Sequence, residues 1–177
     1  MGVLGWSLTV LGLAAGLLSV MTIVGLFMPR DHVASRQLTL KSPTDEVWRV
    51  LGDAPNWPTW WKALHKVEPL PDRGGRQAYR LLFADGRTKF DLVISSAQDP
   101  TELVTQIDDV NKMFEGTWTY ILTPTPNGCT VRLTENGSVP NPLIRLMARL
   151  MMNQAMYIES NLSALAECFG EPVTLRP

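Results

Sequence analysis

The chain contains 177 residues, 45% of them hydrophobic and 19% charged, and its formal net charge at pH 7 is -1. Because this near-balance gives no general attraction to phosphate backbones, we do not expect nucleic-acid binding. Two cysteines are too few for a disulfide framework, and the hydrophobic fraction is too high for a disordered chain.

The N-terminal segment, residues 2–28, contains no charged residue and no histidine. A helix of this length exceeds the roughly 30 Å hydrocarbon core of a bilayer. No charged region precedes the segment and no small-residue cleavage site follows it, so a membrane anchor is favoured over a cleaved signal peptide. We therefore assign residues 1–29 to a transmembrane anchor that contacts the bilayer through residues 2–28.

Two further features of this segment bear on topology and assembly. Arg30, Arg36 and Lys41 follow the span closely, and the positive-inside bias then puts the soluble domain in the cytoplasm. Gly12 and Gly16 form a GxxxG pair, which can seat a weak homodimer of helices.

One domain is expected after the anchor, at residues 36–170, with a tether at 30–35 and a tail at 171–177. Residues 36–40 alternate between polar and apolar, which is typical of a half-buried strand. Ser42 and Pro43 then suit the start of a short helix, which the GDAP sequence at 52–55 ends.

Three tryptophans follow, at Trp57, Trp60 and Trp61, and residues 62–65 are expected to add one helical turn. These rings either plug one end of the core or form a pocket mouth or a contact with the membrane interface, where tryptophan is favoured. Large aromatic side chains are buried on average, which favours the plug.

Residues 66–139 show a pattern of strands and turns. Turn residues such as Asp85-Gly86 separate the strands and predict an antiparallel meander. The predicted strands are 66–70, 77–84, 88–96, 102–108, 114–123 and 129–136.

Residues 141–170 are predicted to form one long helix. It begins at Asn141-Pro142 and ends at Gly170, and apolar residues recur between them at steps of three and four. The apolar stripe is rich in methionine, and we expect this helix to lie on one face of the sheet.

This order of elements, and several motifs, resemble the START-like superfamily and its polyketide cyclase/dehydrase (SRPBCC) branch. The motifs are SPTDEVW (42–48), Asp53 followed by WPTW (57–60), GTWTY (116–120), GCTV (128–131) and NPLIR (141–145). The resemblance covers about residues 35 to 170. It implies an α+β helix-grip fold, in which a curved antiparallel sheet of about seven strands grips a long C-terminal helix. It also implies a deep hydrophobic cavity between the sheet and that helix.

Strand alternation identifies the side chains that would line this cavity. The methionines among them either fill core gaps or adapt to varied ligands, and a mixed aromatic and methionine wall suits an apolar ligand. The predicted ligand-binding residues are Trp60, Tyr79, Leu81, Phe83, Phe90, Leu92, Trp118, Tyr120, Val131, Leu133, Glu135, Met147, Met151 and Met156.

The sequence contains no strong catalytic motif, and no cofactor or metal is expected. His32 and His65 lack ligand spacing to each other or to a cysteine. The weak catalytic candidates are Glu135, Tyr79 and Tyr120, with Asp108 and Asn153 behind them.

Glu135 has two interpretations. Enclosed among apolar side chains, its carboxyl could act as a general acid/base. Alternatively it forms a structural ion pair with Arg132, Arg145 or another base, which is the commoner case. Arg145 and Arg149 lie four residues apart on the predicted helix and form either a solvated stripe or a lipid-headgroup contact.

Three functions fit these observations. The favoured one is a membrane-anchored domain that binds a lipid-like or other hydrophobic small molecule. The second is a polyketide cyclase/dehydratase-type enzyme that uses Glu135 and a tyrosine as its acid/base pair. The third is a scaffold module that docks a membrane protein partner through Trp57, Trp60 and Trp61.

Overall fold

A computed structural model describes residues 2–151, 153 and 155–177. The helices are α1 (Val3–Leu26), α2 (Thr44–Gly52), α3 (Trp57–Trp60), α4 (Pro142–Met151) and α5 (Met156–Cys168), with a 3₁₀ turn at Ala54–Asn56. The strands are β1 (Asp31–Leu40), β2 (Leu64–Arg73), β3 (Arg76–Phe83), β4 (Lys89–Gln98), β5 (Glu102–Asp109), β6 (Glu115–Thr125), β7 (Gly128–Ser138) and β8 (Leu175–Arg176).

The strands form one sheet in the order β2-β3-β4-β5-β6-β7-β1-β8. Each described pairing is antiparallel. Consecutive strands from β2 to β7 are neighbours, and β1 closes the sheet against β7, while α5 packs on β1 and β7. The predicted α+β fold is confirmed, with one strand more than expected because the C-terminal tail contributes β8.

The first strand begins earlier than predicted. β1 starts at Asp31, which pairs with Ser138, and the ladder continues through Ser35 opposite Thr134. Residues 31–35, which were expected to form a tether, therefore belong to the sheet. Polar and apolar residues do not alternate clearly over residues 31–35, because the inward-facing position 32 holds a polar residue, His32, which contacts the buried carboxylate of Glu135.

The region between β1 and β3 also differs in detail. Helix α2 starts at Thr44, and the Ser42 hydroxyl donates to Glu171 instead of capping the helix. Residues 62–65 do not form a helical turn, because β2 already begins at Leu64. Leu64 is 3% exposed and pairs with Phe83, so its burial in the core fixes the start of the strand.

The predicted single C-terminal helix is wrong, because α4 ends at Met151 and α5 begins at Met156. Asn153 lies at the break. Its side-chain oxygen accepts the N–H of Ala155 at 3.0 Å, and its carbonyl accepts the N–H of Met156 at 3.0 Å. Such local bonds of asparagine compete with helix continuation. Met152 and Gln154 lie outside the described residues.

The core lies between the sheet and helices α2, α3 and α5. Trp57 and Trp61 are each 1% exposed, so these two rings plug the core as favoured above, while Trp60 is half-buried. The indole N–H of Trp57 donates to the carbonyl of Leu51, and that of Trp61 donates to the Ser160 hydroxyl. Both buried indoles therefore satisfy their polar group, as buried tryptophans generally do.

Helix α1 stands apart from the sheet. Its stretch Trp6–Leu26 has 21 residues and a mean hydropathy of 2.1, and only 6% of its most apolar window is buried. By length and composition this helix can cross a membrane. Gly12 and Gly16 lie on α1 with open space beside them, and the helix dimer stays a prediction.

Candidate functional site

A buried carboxylate, Glu135, lies on the inner face of the sheet. It is 3% exposed and sits on β7 between β6 and β1. One carboxylate oxygen accepts the indole N–H of Trp118 at 2.6 Å, and the other lies 3.0 Å from Nε2 of His32. Trp118 is directly opposite Glu135 on β6, and His32 is two residues before its β1 partner Ala34. Both oxygens of this carboxylate are thus occupied.

A glycine makes room for the histidine of this cluster. A Cβ atom at Gly137 would collide with the His32 ring and with Phe114. The ring centroids of His32 and Phe114 are 6.1 Å apart. Phe114 in turn packs against Phe90, which packs against Tyr157. The glycine at 137 therefore allows the imidazole to lie against the sheet within hydrogen-bond distance of Glu135.

A second polar pair lies deeper in the core. The Tyr120 hydroxyl donates to the side-chain oxygen of Asn161 at 3.2 Å, and both residues are 0% exposed. Burial raises the pKa of Tyr120 far above its ordinary value. Among the described residues, nothing accepts a hydrogen bond from the Asn161 amide nitrogen. Tyr120 is consequently a neutral donor rather than an acid/base at physiological pH.

An open hollow of about 470 Å³ lies between the start of β1 and the break between α4 and α5. Its described lining residues are Val33, Ala34, Ser35, Arg36, Arg149, Asn153 and Ala155. Glu159 holds two of them, since it accepts from Arg36 at 2.8 Å and from Asn153 at 2.8 Å.

The segment that follows α1 contacts one of the residues that line this hollow. Arg149 donates to the carbonyl of Pro29 at 3.5 Å, and β1 follows α1 after a few residues. Arg145, 8% exposed, donates to the carbonyls of Gly25, Met28, Val139 and Pro140 at 2.9–3.1 Å. The expectation that Arg145 lies on a solvated or headgroup-facing stripe is therefore wrong, since its guanidinium is buried against the carbonyl of Gly25 in the last turn of α1 and that of Met28 just beyond it.

A second, smaller hollow of about 210 Å³ is lined by Trp60, Trp61, Lys62, Ala63, Ser160, Ser163, Ala164 and Glu167. It lies between α3 and α5, beside the Trp61 ring. Within the described part of the chain, no group of three or more His, Cys, Asp or Glu side chains is arranged to hold a metal ion.

With this geometry established, sequence comparison identifies the family. The family described as "Polyketide cyclase / dehydrase and lipid transport" matches residues 31–169. The chain belongs to this family. The match covers the whole sheet from β1 to β7 and both C-terminal helices, and it confirms the START-like (SRPBCC) resemblance. A search of curated proteins found no significant sequence match.

Solved structures of the family's fold are similar to this chain. Norcoclaurine synthase from Thalictrum flavum, in complex with dopamine and hydroxybenzaldehyde, is 15% identical with a TM-score of 0.63, covering 86% of this chain and 93% of that chain. The Zhui aromatase/cyclase from Streptomyces sp. R1128 is 16% identical with a TM-score of 0.62, covering 78% and 94%. Protein MLL2253 from Mesorhizobium loti is 20% identical with a TM-score of 0.58, covering 80% and 97%. At these identities the likeness establishes the helix-grip fold alone.

Within this family fold, most predicted ligand-binding residues lie in one shared core. They are packed against each other rather than around either hollow described above, and Trp60 alone among them lines one of the two. The buried members are Leu81, Phe83, Phe90, Leu92, Trp118, Tyr120, Val131, Leu133 and Glu135, and Tyr79 is half-buried.

The predicted methionines lie elsewhere. Met147 is on α4 and Met156 starts α5, and both are 42% exposed. Met151 ends α4, and its side chain lies outside what the structure describes. The reason is the division of the helix, because α4 packs against α1 rather than across the sheet.

The catalytic candidates do not form one group. Glu135 bonds His32 and Trp118, Tyr120 bonds Asn161, and the Tyr79 hydroxyl donates to Gln77. Of the bases expected to pair with Glu135, Arg132 donates to Gln37 and Arg145 to backbone carbonyls, so the partner is another base, His32. The remaining candidates, Asp108 and Asn153, lie outside the core, Asp108 half-buried and Asn153 exposed.

Sequence reasoning missed His32, Asn161 and the role of Arg145. Each partner lies far along the chain: His32 is 103 residues from Glu135, and Arg145 is 120 residues from Gly25. One signal was available for His32. It alternates with Ala34 on the inner side of the strand, so extending β1 toward the anchor would have placed it there.

Proposed function

We propose that this protein is a membrane-anchored domain that binds a lipid-like small molecule beside the bilayer, with the domain on the cytoplasmic side. The observation that carries this proposal is that Arg149, which lines the 470 Å³ hollow, donates to the carbonyl of Pro29 just after the apolar helix α1. A ligand that partitions into the membrane would meet this hollow where it leaves the lipid. The family description, which includes lipid transport, supports the same class of ligand.

The chemistry of the hollow favours an amphiphile with an anionic group. Val33, Ala34 and Ala155 supply apolar surface, and Arg149 supplies a guanidinium. Arg36 is already paired with Glu159, so Arg149 is the cation left to bind a carboxylate or phosphate. A guanidinium suits these groups because it donates two parallel hydrogen bonds.

The proposed site lies apart from the interior cavity expected from the family resemblance. Aromatic rings occupy that interior: Trp61 and Trp118 have centroids 6.0 Å apart, and Phe83 lies 5.3 Å from both Phe90 and Tyr157. A ligand there would have to displace packed side chains. The hollow beside β1 takes a ligand without that cost.

The test uses the full chain, purified in mild detergent from a lipid-containing host and analysed by native mass spectrometry. We expect a bound anionic amphiphile in the wild type and in Arg132→Glu, an exposed arginine on the opposite face of β7 from Glu135. Arg149→Glu should lose it. A wild type without bound amphiphile, or equal occupancy in both variants, would contradict the proposal.

Acid/base catalysis of the cyclase/dehydratase type is the second candidate. The Glu135–His32 pair supports it, because a buried carboxylate and a partly buried imidazole 3.0 Å apart can exchange a proton. The structural likeness to an aromatase/cyclase agrees with this reading. Glu135→Gln should abolish turnover of a polyketide substrate found by screening, whereas Glu167→Gln, an exposed residue on α5, should not. Unchanged turnover in Glu135→Gln would remove the role of this residue.

Docking of a membrane protein through the tryptophan cluster has less support. Trp57 and Trp61 are buried in the core, so the described surface offers Trp60 alone of the three rings. A single half-buried ring is a small contact for a stable protein interface.

A further inference from the structure

Helix α4 carries an exposed apolar edge. Leu150 is 72% exposed and Met147 is 42% exposed, and Leu143 is half-buried one turn earlier. Positions 143, 147 and 150 are separated by four and three residues, so the three side chains lie on one side of the helix. A contiguous apolar edge that is exposed in this way is typical of a contact surface.

The helix against which α4 packs is α1, the apolar helix. The contact is close, because a Cβ atom at Gly25 would overlap the backbone of Pro142. Arg145 then ties the two helices together through the carbonyls of Gly25 at 3.1 Å and Met28 at 3.0 Å. The depth of α4 relative to the span is therefore fixed at the C-terminal end of α1.

We propose that α4 is an interfacial membrane helix, whose edge at Leu143, Met147 and Leu150 enters the boundary between headgroups and acyl chains. This inference rests on the proposed anchoring of the chain by α1. The apolar stretch ends at Leu26, so a bilayer that α1 crosses has its surface at the level of Gly25 and Pro142. An amphipathic helix held at that level lies in the interface.

Neighbouring side chains agree with this placement. Leu26 and Phe27, 63% and 88% exposed, extend the apolar surface at the same junction. Arg149 on α4 and Arg30 beyond α1 are exposed cations, which suit the headgroup region. The occupant of the α4 edge is thus the bilayer that surrounds α1, because α4 packs directly on α1 at the end of its apolar stretch.

The test measures depth with spin labels in the full chain, reconstituted in vesicles of phosphatidylcholine with a minority of phosphatidylglycerol. Single nitroxide labels are attached in Met147→Cys, Leu150→Cys, Ile121→Cys and Leu13→Cys, each in a Cys168→Ser background. Cys129 is 0% exposed, and burial together with the charge of Glu171 raises the pKa of its thiol to about 11, so it stays unlabelled. Ile121 on the sheet is 43% exposed, which matches the 42% of Met147.

We expect the labels at 147 and 150 to be accessible to oxygen and protected from an aqueous nickel chelate, as at 13, whereas the label at 121 should be accessible to nickel. Nickel accessibility at 147 and 150 with a lipid-embedded label at 13 would overturn the inference and leave the anchor intact. Protection of 147 and 150 from both reagents would assign the edge to a protein contact and overturn it too. Nickel accessibility at 13 would contradict the anchor and the inference together.

Discussion

Arg145 donates a hydrogen bond from Nη1 to the carbonyl oxygen of Gly25 at 3.1 Å, and this bond joins residues 120 positions apart. Gly25 lies in the last turn of α1, and its carbonyl also accepts the backbone N–H of Met28 at 3.2 Å. The same guanidinium also reaches Met28, Val139 and Pro140. One side chain therefore fastens the apolar helix to the family domain.

Arg145→Ala is expected to loosen this attachment. The Gly25 carbonyl keeps the N–H of Met28, but each buried carbonyl left without another partner costs about 1–3 kcal/mol. We therefore expect faster proteolysis of residues 27–30 and a lower midpoint of thermal unfolding in detergent. Arg149→Ala is the matched control on the same helix, because Arg149 is exposed and makes one long bond of 3.5 Å to Pro29. Equal protease sensitivity of the two variants would refute the capping role of Arg145.

The Glu135 cluster predicts an order of stabilities. Glu135→Gln keeps an acceptor for the Trp118 N–H and a donor toward His32, so we expect its free energy of unfolding to fall by about 1 kcal/mol. Glu135→Leu leaves both partners unsatisfied in the core and should cost about 1–3 kcal/mol for each. Urea unfolding followed by tryptophan fluorescence measures the difference, and a leucine variant as stable as the glutamine variant would contradict it.

Gly137→Ala should destabilise the fold through His32. The added methyl group would overlap the imidazole and Phe114, and such overpacking costs about 1–3 kcal/mol. Gly52→Ala, in α2 with open space around it, should be neutral or stabilising, because alanine favours helix over glycine by about 1 kcal/mol. Combining Gly137→Ala with His32→Ala should recover part of the loss, and no recovery would place the clash elsewhere.

Asp91 predicts a pH dependence of stability. Burial acts to raise the pKa of this carboxyl, but hydrogen bonds from Arg80 and Arg73 and their positive charges outweigh burial and lower it. Because the pKa is lowered on folding, the ionised Asp91 carboxylate stabilises the folded state at pH values above its unfolded-state pKa of about 3.9. This stabilisation is lost as the pH falls through the pKa of the folded state.

Asp91→Asn should therefore be less stable than wild type at neutral pH, by about 1–3 kcal/mol. The gap should narrow as the pH falls below about 4. Urea midpoints measured from neutral to acid pH give the comparison, with the exposed Asp72→Asn as control. A gap that stays constant with pH would show that the charge of Asp91 is not the cause.

Much of the sheet could be predicted from the sequence, because alternation and turn residues act locally. The Asp85-Gly86 turn is an example: Gly86 has φ of +70°, and Asp85 accepts the N–H groups of Arg87 and Thr88. The tryptophan plug followed from size and apolarity alone.

The C-terminal helix could not be predicted as two helices, because periodicity indicates a covered face without identifying what covers it. Leu146 on α4 and Leu162 on α5 are both buried, but α4 packs on α1 and α5 packs on the sheet. The packing of aromatic rings in the interior could not be predicted from the sequence either. Alternation places Phe83 and Trp118 inside, whereas the space left between rings depends on how they pack.

The most direct test of the central claim, that a lipid-like molecule occupies the hollow beside β1, is photo-crosslinking of the full chain in nanodiscs that contain a diazirine-bearing anionic phospholipid. After digestion, mass spectrometry locates the modified residues. We predict crosslinks at residues 33–36 and in the α4–α5 junction in addition to those along α1, and their loss in Arg149→Glu. Crosslinks confined to α1, with wild type and variant alike, would contradict the account.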